Sequence, residues 1–159
     1  MFLTPYSAVF SFWTSTLDLV QQMLDENEMI YTRIDGKTSL PKRSESMCSF
    51  QTNDTVRVIL VSITCGGAGW AQECRYDFTV ANCHRLDLTA ASRAYLLEPH
   101  WNPMTEEQAL CRVHRVGQER EVTTIRYLMR DSFEEVYSTF HAVTYFKITH
   151  GKLIWRSKL

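Results

Sequence analysis

The sequence predicts an α/β fold in which a parallel sheet of about five to six strands carries helices on both faces. Short apolar runs alternate with amphipathic segments along the chain, and short turns join them. The apolar run at residues 58–61 fits a central parallel strand that is buried on both faces. The length of 159 residues suits one domain that builds its own core.

The first half of the chain is predicted to contain three strands and two helices. In chain order they are a strand at 9–12, a helix from Thr14 or Ser15 to about Asn27, a strand at Tyr31–Ile34, a helix from Ser39 to about Phe50, and a strand at 56–62. Leu17, Val20 and Leu24 recur at helical spacing in the first helix. The pair Asp35-Gly36 marks a turn, and Pro41 is tolerated in the first turn of the second helix.

The second half continues the alternation. In chain order its elements are a strand at Arg93–Leu97, a helix from Thr105 to about Val116, a strand at Val122–Met129 and the start of a helix at Ser132. Thr105 and Gln108 have the spacing of a capping box, and Gly117 is a stop signal for the same helix. Ser132 and Glu135 form a second capping box.

Composition excludes several classes of protein. The net charge of −1 gives no global sign of a nucleic-acid binder, so any basic surface must be local. The five cysteines are odd in number and irregularly spaced, which favours a reduced intracellular protein over a disulfide framework. The N-terminus lacks the basic and apolar regions of a signal peptide. No apolar run reaches the roughly 18 residues that a membrane span needs, so no membrane partner is expected.

A pair of arginines in the segment 108–118 is the first candidate site. Arg112 and Arg115 are three residues apart, which places them on one face of the predicted helix, near Gln108 and Gln118. Two neighbouring guanidiniums repel each other unless they meet an anion. One interpretation is a solvated basic face. The other is a phosphate clamp, in which rigid planar donors stabilise the charge on a phosphoryl group during its transfer.

A glycine-rich loop after the third predicted strand is the second candidate site. Gly66, Gly67 and Gly69 follow that strand at its carboxyl end, where ligands bind in open α/β sheets. Glycines at this place allow main-chain N–H groups to approach phosphates. A simple turn accounts for the same pattern, so the loop alone is a weak signal.

Six segments occur in an order that points to a family. They are VFSFWTSTLD, YTRIDGKTS, VRVILVSITCGGAG, LDLTAASRAYLLEPHWNP, EEQALCRVHRVGQ and VTTIRYLMRDSFEE. In this order, and in its distinctive QxxxRxxRxGQ and LTAAS…WNP patterns, the chain resembles the C-terminal RecA-like lobe of Swi/Snf-type ATPases, the DNA translocases of helicase superfamily two. The resemblance implies a P-loop NTPase-like C-terminal lobe at residues 9–136, with an insertion at 70–85, and an atypical basic and aromatic tail at 137–159.

The resemblance also implies roles for individual residues. Arg112 and Arg115 match the arginine-finger motif of the family, with Arg115 as the finger itself, and Gln108 opens that motif. The other correspondences are Gly66, Gly67 and Gly69 in the motif that links nucleotide state to DNA grip, Ser11, Lys37 and Ser62 at contacts with the DNA backbone, and Trp101 at a position that couples the two lobes. A packed aromatic is the alternative interpretation of Trp101.

Two motifs that ATP hydrolysis requires are absent from the sequence. It contains no phosphate-cradling GxxxxGK[ST] loop and no acidic metal-binding motif, and in this family both belong to the preceding lobe. ATP and Mg²⁺ are therefore expected only in a complete two-lobe ATPase, and the chain alone is expected to be inactive.

The resemblance implies chromatin remodelling or DNA repair as the process and the nucleus as the location. The implied partners are double-stranded DNA, an N-terminal RecA-like lobe and nucleosomes. The alternative is a non-catalytic nucleic-acid-binding remnant or a non-functional fragment of a gene.

Residues 70–85 interrupt the family pattern, since joining Gly69 directly to Leu86 gives an unbroken CGGAGLDLTAAS. Three interpretations are open. The first is a metal site, although its candidate ligands lack the paired spacing of structural zinc sites. These ligands are Cys65, Cys74, Cys83 and His84. The second is a functional inserted loop. The third is translation of an in-frame intron, which we favour because removal of the segment restores the motif at its seam. No metal site is predicted.

Overall fold

The computed structural model of the chain describes residues 6–66, 86–115 and 117–134. In chain order the elements are β1 (Ser7–Ser11), α1 (Thr14–Glu26), β2 (Tyr31–Ile34), α2 (Leu40–Thr52), β3 (Val58–Ser62), a 3₁₀ turn (Ile63–Gly66), β4 (Arg93–Leu96), α3 (Pro103–Leu110) and β5 (Thr123–Arg126). Strands and helices alternate as the sequence predicts.

The strands form one parallel five-stranded sheet in the order β2-β3-β1-β4-β5, which confirms the predicted α/β class. The carboxyl ends are in register, with Ser11 opposite Ser62 and Phe10 opposite Leu96. β1 and β4 are neighbours, yet their connections lead in opposite directions, to β2 and to β5. Open α/β sheets bind ligands in the crevice that forms at the carboxyl ends of such strands.

Alternate side chains of the central strands supply one apolar core on each face of the sheet, because successive residues of a strand point to opposite faces. On one face the core residues from β1, β3, α2 and α3 include Ala8, Phe10, Ile59, Val61, Met47, Phe50 and Ala109. On the other face those from β1, β3 and α1 include Val9, Val58, Leu60, Leu17 and Leu24. The predicted helices on both faces are therefore confirmed.

The start of α3 differs from the prediction. Its N-cap is Asn102, whose side chain accepts a hydrogen bond from the Met104 N–H at 3.1 Å, and Pro103 occupies the first turn. The predicted capping box at Thr105 is wrong, because an Asn-Pro pair is already a complete start signal two residues earlier. β4 and β5 are also shorter than predicted.

Several predictions fall outside the described residues. Gly67 and Gly69, the insertion at 70–85 and the tail at 137–159 are among them, as is the helix predicted to continue beyond Glu134. None of the described helices is long and apolar enough to cross a membrane.

Candidate functional site

The loops that follow the carboxyl ends of four strands meet at one edge of the sheet. Ser11 and Ser62 are the last residues of β1 and β3 and lie in register. β2 is in register with β3, so the turn at Asp35 follows at the same edge. Glu98 comes after β4, and its carboxylate lies 2.9 Å from the Ser11 hydroxyl. Candidate residues from separate motifs therefore share this edge.

Arg112 and Arg115 lie in a turn after α3, at residues 111–115, which we call the arginine turn. α3 ends at Leu110, so the prediction that one helix face carries both arginines is wrong. After Leu110 the main chain tightens, since Arg112 and Val113 donate to the carbonyls three residues before them, and Leu88 donates its N–H to the Arg112 carbonyl at 3.0 Å. In a continued helix that carbonyl would accept from the residue four positions on. Val113, in the middle of the turn, is fully buried in the core.

The two guanidiniums of the arginine turn are close enough to influence each other. Both side chains are partly exposed. Burial is the largest effect on Arg112 and lowers the pKa of its guanidinium, and the like charge of Arg115 lowers it further. Because arginine still stays protonated at neutral pH, the pair concentrates positive charge at this edge. A bound anion would relieve the repulsion between them.

Arg112 comes together with Gln108 and Ser62 around one small cavity. The cavity has a volume of about 20 Å³, and Leu86 also lines it. The 3₁₀ turn Ile63–Gly66, which contains the first glycine of the candidate loop, packs against α3. A space of this size holds about one water molecule, so it is not itself a nucleotide site. It shows that residues from three candidate motifs are neighbours.

Ser11 and Ser62 have hydroxyls that are engaged inside the protein. Ser11 is fully buried, donates to the Glu98 carboxylate at 2.9 Å and accepts from the Trp13 N–H at 3.0 Å. The Ser62 hydroxyl shares a hydrogen bond of 2.7 Å with the hydroxyl of Thr64. Both serines shape the loops at the carboxyl edge, and their contact with DNA stays a prediction.

Lys37 is exposed and lines an open cavity of about 400 Å³ at the same edge. Arg33 and Lys42 add two further cationic side chains to the lining, and Asp35 and Glu45 lie among them. Arg33 is ion-paired with Asp18 and Asp35, so Lys37 and Lys42 supply the positive charge that this cavity presents in a chain whose net charge is −1.

Asp35 organises the loop that presents Lys37. Its carboxylate accepts hydrogen bonds from the Lys37 N–H at 2.9 Å, the Thr38 hydroxyl at 3.0 Å and the Arg33 guanidinium at 3.0 Å. Burial acts to raise the pKa of this carboxyl, but the hydrogen bonds and the charge of Arg33 outweigh it, so the pKa lies below its ordinary value. The ionised carboxylate therefore fixes the loop.

Trp101 belongs to a row of aromatic rings at the carboxyl edge. Its ring centroid lies 5.5 Å from that of His100, which lies 4.7 Å from that of Phe12. The Phe12 and Trp13 rings meet edge to face at 5.1 Å. Trp101 is 74 % exposed, so it is not a packed core aromatic. Its role between two lobes stays a prediction.

Two further residues organise the site: Glu106, which the sequence did not single out as a site residue, and Gln118, the last residue of the QxxxRxxRxGQ pattern. Glu106 is buried on α3, where one carboxylate oxygen accepts from the His100 N–H at 2.7 Å and the other forms an ion pair with Arg126 of β5. The available signal was a charged residue three positions before the core residue Ala109, which is rare without a partner. Gln118 follows the arginine turn and bonds to the segment 86–91.

No group of three His, Cys, Asp or Glu side chains that could hold a metal ion occurs within residues 6–66, 86–115 and 117–134. Cys65 is buried, and burial raises the pKa of its thiol. Cys74, Cys83 and His84, the other candidate ligands, lie outside the described residues.

A family model described as the helicase conserved C-terminal domain matches residues 6–117. The DNA repair protein RAD5A of Arabidopsis thaliana is 36 % identical over 81 % of this chain. The DNA repair protein rad8 of Schizosaccharomyces pombe is 34 % identical over 80 % of it, and the helicase-like transcription factor of Homo sapiens is 35 % identical over 81 %. The chain spans only 11 %, 10 % and 11 % of the lengths of these relatives.

A solved structure of the C-terminal part of the Fun30 ATPase domain is similar to this chain, with a TM-score of 0.71 and 25 % sequence identity. The similarity covers 85 % of this chain and 38 % of that one. The parallel sheet described above therefore has the architecture of a RecA-like C-terminal lobe.

Proposed function

The chain belongs to the helicase conserved C-terminal domain family, and on this premise we propose that it is the C-terminal lobe of an ATP-dependent double-stranded DNA translocase. The lobe supplies arginine fingers and contacts to the DNA backbone, and it acts only together with an N-terminal RecA-like lobe. Relatives named as DNA repair proteins and as helicase-like transcription factors support a role on DNA. A nuclear location, in DNA repair or chromatin remodelling, is part of the same proposal.

The arginine turn is the observation that carries the proposal. Arg112 lies beside Gln108 and Ser62 at the carboxyl edge of a parallel sheet, and the charge of Arg115 acts on it. Paired guanidiniums at this edge suit an anion that is presented from outside the lobe. Since the main chain of the turn is bonded to a neighbouring segment at Leu88, the pair is positioned before the anion arrives.

The N-terminal lobe supplies what this sequence lacks. A GxxxxGK[ST] loop and an acidic motif there hold ATP and Mg²⁺, and the γ-phosphate is the group that is transferred to water. The residues of this chain fit the complementary task, because Arg112 and Arg115 stabilise negative charge on that phosphate when the two lobes close. Gln108 lines the same small cavity as Arg112, and the 3₁₀ turn that ends at Gly66 packs against α3.

The basic cavity around Lys37 is the proposed contact with the DNA backbone. Lys37 and Lys42 present positive charge at the edge that also carries the arginine turn, next to Arg33, which is ion-paired with Asp18 and Asp35. Such contacts are independent of DNA sequence and weaken with salt. Closure of the cleft on ATP would shift this surface along the duplex.

Reconstitution with an N-terminal RecA-like lobe from a relative tests the arginine fingers. The chain alone should show no DNA-stimulated ATP hydrolysis, and the mixture should show it. Arg115→Ala should lower kcat of the mixture by roughly a thousandfold, and Arg112→Ala should also lower it. Arg93→Ala is the matched control, since Arg93 is exposed at the opposite end of the sheet. Full activity of the Arg115→Ala mixture would refute the assignment.

Binding to duplex DNA, followed by fluorescence anisotropy at several salt concentrations, tests the second part of the proposal. Lys37→Ala should weaken binding for all sequences alike and reduce the salt slope by about one unit, whereas Arg93→Ala should not. A non-catalytic nucleic-acid-binding remnant is the second candidate function, and the basic cavity favours it equally. It would bind DNA in this way and give no ATP hydrolysis with any N-terminal lobe.

A further inference from the structure

Gln118 is the residue that joins the arginine turn to the segment 86–91. We propose that Gln118 is a positioning residue, whose side-chain amide clamps the main chain of the turn and so orients Arg112 and Arg115. This inference rests on the proposed function insofar as the two arginines are taken to act on a phosphate.

Three main-chain carbonyls surround the side-chain nitrogen of Gln118. Nε2 donates to the carbonyls of Thr89 at 2.8 Å, Ala91 at 3.0 Å and Val113 at 3.3 Å. An amide nitrogen carries two hydrogens, so the two shorter bonds hold the segment 86–91 and the longer contact with Val113 is shared. The clamp thus connects two segments that are more than 20 residues apart in sequence.

The orientation of this amide follows from its surroundings. Oε1 accepts a hydrogen bond from the Arg120 N–H at 3.0 Å. The reversed amide would place an oxygen against three carbonyl oxygens and an NH₂ group against an N–H donor. Only the orientation with Nε2 toward the carbonyls satisfies both ends.

The main chain of the arginine turn is bonded on both sides. Leu88 donates to the Arg112 carbonyl at 3.0 Å, and the main-chain N–H of Gln118 donates to the Arg115 carbonyl at 3.0 Å. With the side-chain contact to Val113, the carbonyls of three residues of the turn are held by Leu88 and Gln118. Because Val113 is fully buried, the turn has little freedom to rotate, and the side chains of both arginines leave from a fixed main chain.

Hydrogen exchange on the full chain tests the clamp without any assumption about function. Gln118→Met keeps the size of the side chain but removes its donors. The Leu88 amide, which bonds to the Arg112 carbonyl, should then exchange about tenfold faster. Gln22→Met is the matched control, since the exposed Gln22 donates to the Glu26 carboxylate at 3.1 Å within α1, away from the peptide of Leu88. Unchanged exchange of Leu88 in Gln118→Met would overturn the proposal.

Gln118→Lys separates loss of the donors from general damage. An ammonium group carries three hydrogens and can donate to the same carbonyls, so this variant should keep most of the protection at Leu88. If Gln118→Met does not fold, Gln118→Lys carries the test. Equal loss of protection in both variants would show that donation to the carbonyls is not what holds the turn.

The two-lobe ATPase then tests whether the clamp acts through the arginines. Gln118→Met should lower kcat about tenfold and change KM for ATP less than twofold, because arginine fingers act in the transition state. In a variant that already carries Arg115→Ala, Gln118→Met should lower kcat much less, since the two residues act as a unit. If Gln118→Met lowered kcat equally with and without Arg115→Ala, Gln118 would not act by positioning Arg115. An inactive mixture, or one insensitive to Arg115→Ala, would refute the proposed function and leave hydrogen exchange to decide on the clamp.

Discussion

At the carboxyl end of β2, the Asp35 carboxylate accepts three hydrogen bonds from residues of its own strand and loop. The side chain is 12 % exposed, and Arg33 bridges it to Asp18, whose side chain is 64 % exposed. The guanidinium of Arg33 therefore pairs with one buried carboxylate and one solvated carboxylate. Asp35 and Asp18 thus allow the stability contributions of a buried and an exposed ion pair with the same arginine to be compared.

Asp35→Asn should reduce the free energy of unfolding by about 1 kcal/mol at pH 7, because the ionised acceptor of Arg33 and Thr38 is lost. The pKa of Asp35 is below its ordinary value in the folded protein. Its contribution is therefore complete above the unfolded pKa of about 3.9 and is lost as pH falls through the lower folded pKa. The difference between the variant and the wild type should shrink below about pH 4, as measured by urea unfolding between pH 7 and 3.

Asp18→Asn is the control for this measurement, since it removes the exposed partner of the same guanidinium. It should change the free energy of unfolding by less than about 0.5 kcal/mol. A gap between Asp35→Asn and wild type that is the same at pH 7 and pH 3 would contradict the role of the ionised carboxylate.

Ser11 and Ser62 show that the position of a residue is easier to predict from sequence than the direction of its side chain. Ser11 and Ser62 could be placed at the ends of strands from the apolar runs before them, and both lie there. The direction of their hydroxyls could not be predicted. For Ser11 it depends on Glu98, which is 87 positions away in sequence and belongs to another strand connection. A serine side chain has three staggered rotamers, and the one it adopts depends on the hydrogen-bond partner that the fold places nearby.

At the scale of single elements, α3 ties three parts of the molecule together through Glu106. Its carboxylate holds the His100 N–H in the loop before the helix and pairs with Arg126 of β5. Glu106→Ala should lower the free energy of unfolding by about 3 kcal/mol, because both partners lose a buried acceptor. Glu106→Gln keeps an oxygen for His100 and should cost only about 1 kcal/mol. Chemical unfolding at pH 7 measures both.

Glu107→Ala is the control on the same helix, because Glu107 is only partly buried and lies on the next face. Its effect should stay within about 0.5 kcal/mol. If Glu106→Gln were as damaging as Glu106→Ala, the ion pair with Arg126 would be the whole contribution and the bond to His100 would add nothing.

Gly117, just before Gln118, makes the exit from the arginine turn possible. Its φ of +103° is disfavoured for residues with a Cβ, while a Cβ at this position would meet nothing within 4 Å. Gly117→Ala should therefore cost about 1–2 kcal/mol from backbone strain alone, and thermal unfolding measures it. Gly36→Ala is the matched control, with ordinary contact to the Cys65 sulfur at 4.0 Å, and should be nearly neutral. Equal effects of the two changes would argue against strain.

The boundaries of α3 show why elements are predicted better than their ends. The alternation of apolar runs was enough to place all five described strands and the helices between them. Local patterns continued the helix to about Val116, because nothing between Leu110 and Gly117 is a helix breaker. The helix gives way to i→i+3 bonds after Leu110, and Leu88, from another segment, bonds to the carbonyl of Arg112 in the turn that follows. A tertiary bond of this kind leaves no mark in the local sequence.

At the scale of the whole molecule, the described segments before residue 67 and after residue 85 lie close together. Ile63, at the start of the 3₁₀ turn, and Leu86 line the same cavity of about 20 Å³. Residues 67–69 alone span roughly 10 Å when extended, which is enough to join neighbours. The main-chain carbonyls of Arg112, Val113 and Arg115 accept hydrogen bonds from Leu88 and Gln118, which both follow the insertion in sequence. Nothing in this arrangement of the described residues requires the segment 70–85.

Deletion of residues 70–85, which joins Gly69 to Leu86, should therefore give a folded protein that is more stable than the wild type. The connection between Gly66 and Leu86 shortens from residues 67–85 to residues 67–69, which lowers the entropic cost of loop closure by about 1–2 kcal/mol. Replacement of 70–85 by a Gly/Ser segment of equal length is the control and should leave the stability near that of the wild type. Thermal unfolding and exchange at the Leu88 amide measure both variants. A deletion variant that unfolds, or a Gly/Ser variant that loses protection at Leu88, would show that the inserted residues themselves support the lobe and would argue against their origin as a translated intron.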